Sequence, residues 1–183
     1  MSKSNIVKVD YTAPVSIATP STSANTSAVG TMSLGTMLVN SAMYKSLSNV
    51  YDQVRIVSCR LQIQLVYGPT SSSGSIFCAY DKTGFVSGAS IEQIQTYGSY
   101  KVGTPRTIGN DPPTLVYYLP RNAIETSQWY DSKKLSAMLN TLSFGYVGSI
   151  ASQSPQSMQF TVTLSANCAF RGSRLDTTTA TGI

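Results

Sequence analysis

An antiparallel two-layer β-sandwich is the fold this sequence predicts, and three observations carry the prediction. Two long stretches alternate apolar and polar residues with period two, and six shorter apolar runs lie between clusters of Gly, Pro and Ser. The composition, with 28 Ser, 20 Thr and only 11% charged residues, favours strands and turns over helices. At 183 residues and 42% hydrophobic content, the chain is long enough for one domain with a single core, so the whole of 1–183 is read as one domain. Residues 1–5 and 176–183 are expected to be flexible or interface termini.

The strands follow in order. Residues 6–17 and 30–39 open the chain. Residues 55–67 give the clearest signal, with Val57, Cys59, Leu61, Ile63 and Leu65 on one parity and Ser58, Arg60, Gln62 and Gln64 on the other. Residues 74–80, 100–108, 113–119 and 141–150 are shorter runs. Residues 158–170 close the set, alternating Met158, Phe160, Val162, Leu164, Ala166, Cys168 and Phe170 with mostly polar partners. Both long strands cross a whole sandwich, at about 3.3 Å per residue. Turn clusters such as Gly68-Pro69-Thr70 and Asp111-Pro112-Pro113 separate the strands, because Gly and Pro supply backbone angles that strands resist.

Two short helices interrupt the pattern. Met43, Leu47, Val50 and Tyr51 share a helical face after Ser41, a candidate N-cap. Ser90 and Gln93 match a capping box, with Ile91 and Ile94 as the apolar side and Gly98 as the stop. Eight strands with alternating faces and two short helices point, among sandwiches, to a single eight-stranded jelly roll.

Chemistry is constrained by what is missing. The chain has no histidine, which removes Ser-His-Asp and Cys-His nucleophilic systems, His-based zinc sites and the commonest general base. Its eight carboxylates, Asp10, Asp52, Asp81, Glu92, Asp111, Glu125, Asp131 and Asp176, show no metal-loop spacing. Cys59, Cys78 and Cys168 are odd in number, lack C-x-x-C spacing and sit in apolar runs, so they read as buried small hydrophobes. No cofactor, metal or enzymatic activity is expected. The chain carries no run of 18 apolar residues and no signal-peptide pattern, so it reads as soluble and unexported, with the Asn25-Thr26-Ser27 triplet a chance sequon.

The order of features has a counterpart. The run YKSLSNVYDQVRI, from Tyr44 to Ile56, resembles the short helix, the aromatic-Asp-Gln-x-Arg-Ile turn and the following strand of circovirus-like capsid proteins. In the order that resemblance implies come IFCAYD from Ile76, SIEQIQTYG from Ser90, and a last strand closing on AFRG from Ala169. The resemblance spans most of residues 30–175. It implies a capsid protein of the circular single-stranded DNA viruses that encode a replication initiator. Such a protein forms a jelly-roll subunit of a small icosahedral, T=1-like shell of about sixty copies, found in the virion and assembled in host nucleus or cytoplasm. Its partners would be itself, single-stranded DNA or nonspecific nucleic acid, and a host receptor, with no membrane insertion.

One departure bears on packaging. Members of that family usually begin with a long Arg-rich arm, whereas the first 40 residues here contain only Lys3 and Lys8. A net charge of +5 per subunit neutralises a minor share of a genome carrying one charge per nucleotide, so a shell of this chain is expected to be empty or to hold nonspecific nucleic acid.

Candidate nucleic-acid contacts are Lys3, Lys8, Arg60, Arg171 and Arg174, of which Arg60 lies on the polar parity of one long strand and Arg171 and Arg174 follow the other. Candidate subunit-interface anchors are Trp129, Tyr130, Tyr117 and Tyr118, because large aromatics dominate interface energetics. Trp129 filling its own core is the competing reading, and Arg55 three residues after Asp52 reads as a local ion pair. The same Tyr-rich segments leave open a carbohydrate-binding or adhesin-like sandwich, with rings stacking on sugars. That reading predicts a monomer or small oligomer with glycan affinity.

Overall fold

Two antiparallel sheets face each other in the computed structural model, which describes residues 5–18, 26–67, 72–81, 91–103, 114–119, 128–135, 141–150 and 157–173. The elements are β1 (Asn5–Ala18), β2 (Thr26–Ser33), α1 (Leu34–Asn40), α2 (Ala42–Val50), β3 (Tyr51–Tyr67), β4 (Ser72–Asp81), α3 (Ile91–Gln95), β5 (Lys101–Gly103), β6 (Thr114–Leu119), β7 (Tyr130–Asp131), β8 (Thr141–Ile150) and β9 (Ser157–Ser173). One sheet runs β1-β9-β3-β6, with β7 on β3, and the other runs β2-β8-β4-β5.

The pairing is nested. Leaving the two-residue β7 aside, the first strand pairs with the last (β1 with β9), the second with the next to last (β2 with β8), then β3 with β6 and β4 with β5. That is one long hairpin rolled up, and the roll closes where β9 meets β3 and β8 meets β4. The fold is the expected jelly roll.

The core lies where the inward parities of the two sheets meet. Met158, Phe160, Val162, Leu164, Ala166 and Cys168 of β9 interleave with Cys59, Leu61, Ile63 and Leu65 of β3, and face Ile76, Cys78, Phe144 and Tyr146 of the second sheet. Phe144 meets Phe160 edge-on, at 5.8 Å between ring centroids. Phe77 and Ala79 point the other way from β4 and are covered by Ile91 and Ile94 of α3. The short helix therefore serves to bury the second face of a central strand.

Several expectations are corrected. Residues 30–39 are not one strand: β2 ends at Ser33, whose hydroxyl accepts the Thr36 N–H and caps α1. On α2 the buried residues are Tyr44 and Ser48, whereas Met43 is half exposed. The Tyr44 hydroxyl donates to Ser132 O at 2.7 Å, which draws that side inward. Ser41 does take the N-cap position of α2, where its carbonyl accepts from Lys45 N–H, but its hydroxyl makes no cap hydrogen bond and donates to Asp10 O. Val57 leaves the core parity because the β3/β9 register shifts between Ile56 and Ser58; Val54 and Ile56 point inward before this bulge and Cys59 after it. Gly98 is not the helix stop, since α3 ends at Gln95 in a turn closed by Thr96 N–H to Gln93 O. Asn5 is paired strand opposite Phe170 and no loose terminus. The Ser90 cap, residues 104–108 of the fifth expected strand, and 1–4 and 176–183 lie outside the described residues. All three cysteines are free and buried, as expected.

Candidate nucleic-acid interface

The face of the first sheet that points away from the core carries Lys8, Asp10, Arg55, Arg60 and Arg171. Its rows can be read from the register. Lys8, Asn167 and Ser58 form one row; Asp10, Ser165, Arg60 and Tyr118 form the next; on the other side, Ile6, Ala169 and Arg55 lead to Trp129 just before β7; beyond them Arg171 and Gln53 lead to Asp131. Because alternate residues share a face, four basic side chains and two aromatic rings, contributed by β1, β3, β6, β9 and the residue just before β7, lie on one surface.

Around Arg60 this surface is hollow. A cavity of about 250 Å³ is lined by Lys8, Ser58, Cys59, Arg60, Tyr118, Ser165 and Asn167. Tyr118 stands at its rim, 63% exposed, with the Arg60 guanidinium 5.7 Å from its ring centroid. The Asn167 amide donates to Ser58 Oγ at 2.9 Å. Lys8 reaches Asp10 at 3.1 Å, and Ser165 Oγ donates to the same carboxylate at 2.5 Å. The Ser165 hydrogen bond, with Lys8 adding to it, holds the Asp10 carboxyl below its ordinary value against the opposing effect of burial.

At the other end Trp129 is clasped by two guanidinium groups, Arg171 at 4.0 Å and Arg55 at 4.8 Å from its ring. Arg171 Nε also donates to Gln53 Oε1 at 2.7 Å. Arg55 Nε is buried with no hydrogen-bond partner among the described residues. The guanidinium of Arg55 thus lies against an indole, where the sequence reading had set it opposite Asp52.

The sequence-derived sites divide. Lys8, Arg60 and Arg171 share the outer face, while Lys3 and Arg174 lie outside the described residues. Of the aromatic anchors, Tyr117 is corrected outright: at 2% exposure it fills the core, because β6 alternates and Leu115, Tyr117 and Leu119 all point inward. Tyr130 is half-buried, packed against the same core. Trp129 and Tyr118 remain on the outer face. Sequence reasoning missed Asn167 and Ser165, whose alternation was visible but whose approach to Arg60 depends on a pairing more than 100 residues apart, and it gave Ser58, on Arg60's own strand and parity, no role. Among the described residues no group of three His, Cys, Asp or Glu could hold a metal.

No protein-family model matches the chain, and no curated protein matches it. Solved structures do. The chain superposes on one from cocksfoot mottle virus with a TM-score of 0.60 at 11% identity, covering 93% of this chain and 96% of that one. For tobacco necrosis virus the TM-score is 0.57 at 14% identity, with 93% and 97% covered. For the decameric BFDV capsid protein it is 0.51 at 14% identity, with 92% and 100% covered. At these identities the likeness establishes the fold, over nearly the whole of each chain.

Proposed function

We propose that this protein is a viral coat protein that assembles with copies of itself into a closed shell. The observation that carries the reading is the nested strand pairing, shared over more than nine-tenths of the chain with subunits of solved viral capsids. Fold alone hosts many functions, so the surface must agree, and it does. The edge strand β1 leaves Ile6 61% exposed, and the edge strand β5 leaves Val102 half exposed. Apolar side chains on open sheet edges are a liability in a lone subunit and an asset in one whose edges are covered by symmetric neighbours.

The finer reading is a T=1-like shell of about sixty copies around circular single-stranded DNA. It is supported by the resemblance of residues 44–56 and of the segments that follow to circovirus-like capsid proteins. The neighbours in fold span several virus groups, so genome type rests on that resemblance.

Light scattering of the purified chain, with negative-stain images and the 260/280 nm ratio of the same sample, tests the proposal. Closed particles of uniform size are expected. A monomer at every salt concentration and pH would overturn the coat reading and favour a carbohydrate-binding sandwich, to be sought on glycan arrays.

A further inference from the structure

We infer that the cavity bounded by Lys8, Arg60, Tyr118 and Asn167 is a binding site for one nucleotide of a single-stranded polynucleotide, and that the strand continues across the outer face toward Arg55, Trp129 and Arg171. The inference deepens the coat reading only in placing this face toward the enclosed genome; the binding itself needs no shell.

Charge complementarity is the first argument. Among the described residues the partners of Arg60 are the Gln62 amide at 3.4 Å and the Tyr118 ring, and those of Arg171 are the Gln53 amide and the Trp129 ring. Arg55 has the indole. Among the described residues, three guanidinium groups on one face are thus met by neutral groups, and Lys8 alone of these four cations pairs with a carboxylate, Asp10. Positive charge left uncompensated by the protein's own carboxylates is what a phosphate backbone requires.

Stacking and shape are the second. Tyr118 is the large aromatic that the edge strand β6 turns outward, and it stands beside Arg60. A base stacked on Tyr118 places its phosphate within reach of Arg60 and Lys8. The floor of the cavity offers Asn167, Ser58 and Ser165, which donate and accept hydrogen bonds but carry no charge. A ring platform beside a cation suits any base, because each has a π-face, so sequence preference is weak. From Ser165 to Arg171 along β9 is about 20 Å, the length of a few nucleotides.

The site does not depend on an Arg-rich arm, which distinguishes it from charge neutralisation by a tail. It also moves Tyr118 from subunit contact to ligand contact.

Fluorescence anisotropy with labelled ten-residue oligo-dT and oligo-U tests this, on wild type, Tyr118→Ala, Tyr118→Phe and Arg60→Gln, with light scattering of each sample. Tyr118→Ala is expected to weaken binding about five- to a hundred-fold and Tyr118→Phe to restore it, since stacking survives loss of the hydroxyl. Arg60→Gln is expected to make the salt slope shallower by about 0.7. Whichever polymer loses more affinity in Tyr118→Ala is the one that occupies the pocket. Unchanged affinity in both substitutions, or displacement of the probe by a neutral oligosaccharide, would overturn the site while leaving particle formation untouched. Conversely, loss of binding in a protein that never forms particles would sustain the site and sink the shell.

Discussion

Gly172 shows how one residue can hold a corner. It is the described glycine with positive φ, +74°, and a Cβ built there would lie 3.2 Å from Asp52 Cβ. Near the end of β9 the backbone turns in a way that L side chains resist while passing close to the start of β3. Gly172→Ala is expected to cost about 1–2 kcal/mol, read as a lower urea midpoint with unchanged m-value. Trp129 is the companion case. Its ring joins Arg55 and Arg171, so Trp129→Ala removes two cation–π contacts, a loss offset only in part by water reaching Arg55 Nε, which is buried without a hydrogen-bond partner among the described residues. About 1–3 kcal/mol is expected to be lost, with Trp129→Phe recovering part of it. Circular dichroism is the proper probe, because Trp129 is the sole tryptophan. An unchanged midpoint would mean that the indole serves a partner and not its own subunit.

Elements differ in how openly the sequence declares them. The two long central strands are legible because each buries one face along its whole length, and a period of two sustained over a dozen residues has no helical counterpart. The Val57 bulge is invisible in that pattern: Val57 is apolar and parity alone assigns it inward, whereas the ladder with β9 decides otherwise. The junction of β2 and α1 fails for a related reason. Met32, Leu34 and Leu38 suit either structure, and the Ser33 cap that separates them is one hydroxyl in a chain rich in hydroxyls. The pocket was half legible, with Lys8 and Arg60 seen as basic residues, Arg60 on a polar parity, but joined only by the closure of β1 and β3 on either side of β9. β9 is accordingly the element whose core the molecule can least lose. Phe160 lies near its start, fully buried against Phe144 of the other sheet, and Phe160→Ala is expected to cost about 3–5 kcal/mol in denaturant titration. A cost below about 1 kcal/mol would show that the sheets do not pack as described.

At the scale of the whole molecule, burial of ionisable groups sets how stability varies with pH. Cys59, Cys78 and Cys168 are sealed in the sandwich, and burial raises all three thiols, that of Cys168 from an ordinary 9.0 up to about 12. Burial likewise raises the phenols of Tyr44, Tyr80 and Tyr117 above their ordinary value of 10.0. Above pH 9 the unfolded chain therefore releases protons that the native chain retains. Stability rises with pH only where the unfolded state binds more protons; here it binds fewer, so stability is full below about pH 9 and declines toward pH 12, with the tyrosines adding to the decline from about pH 10. The expected result is a urea midpoint that is level from neutral pH to about 9 and falls steeply beyond it. Thiol reagents at neutral pH should find no reactive cysteine until the chain unfolds globally, since neither access nor thiolate is available. In an assembled shell the same alkaline range should release subunits as unfolded chain and not as intact monomers, because the groups that burial perturbs lie inside each subunit. Scattering and circular dichroism recorded together across that range distinguish the two: coincident loss of both signals is expected, and loss of scattering with strand structure intact would place the controlling groups at the contacts between copies.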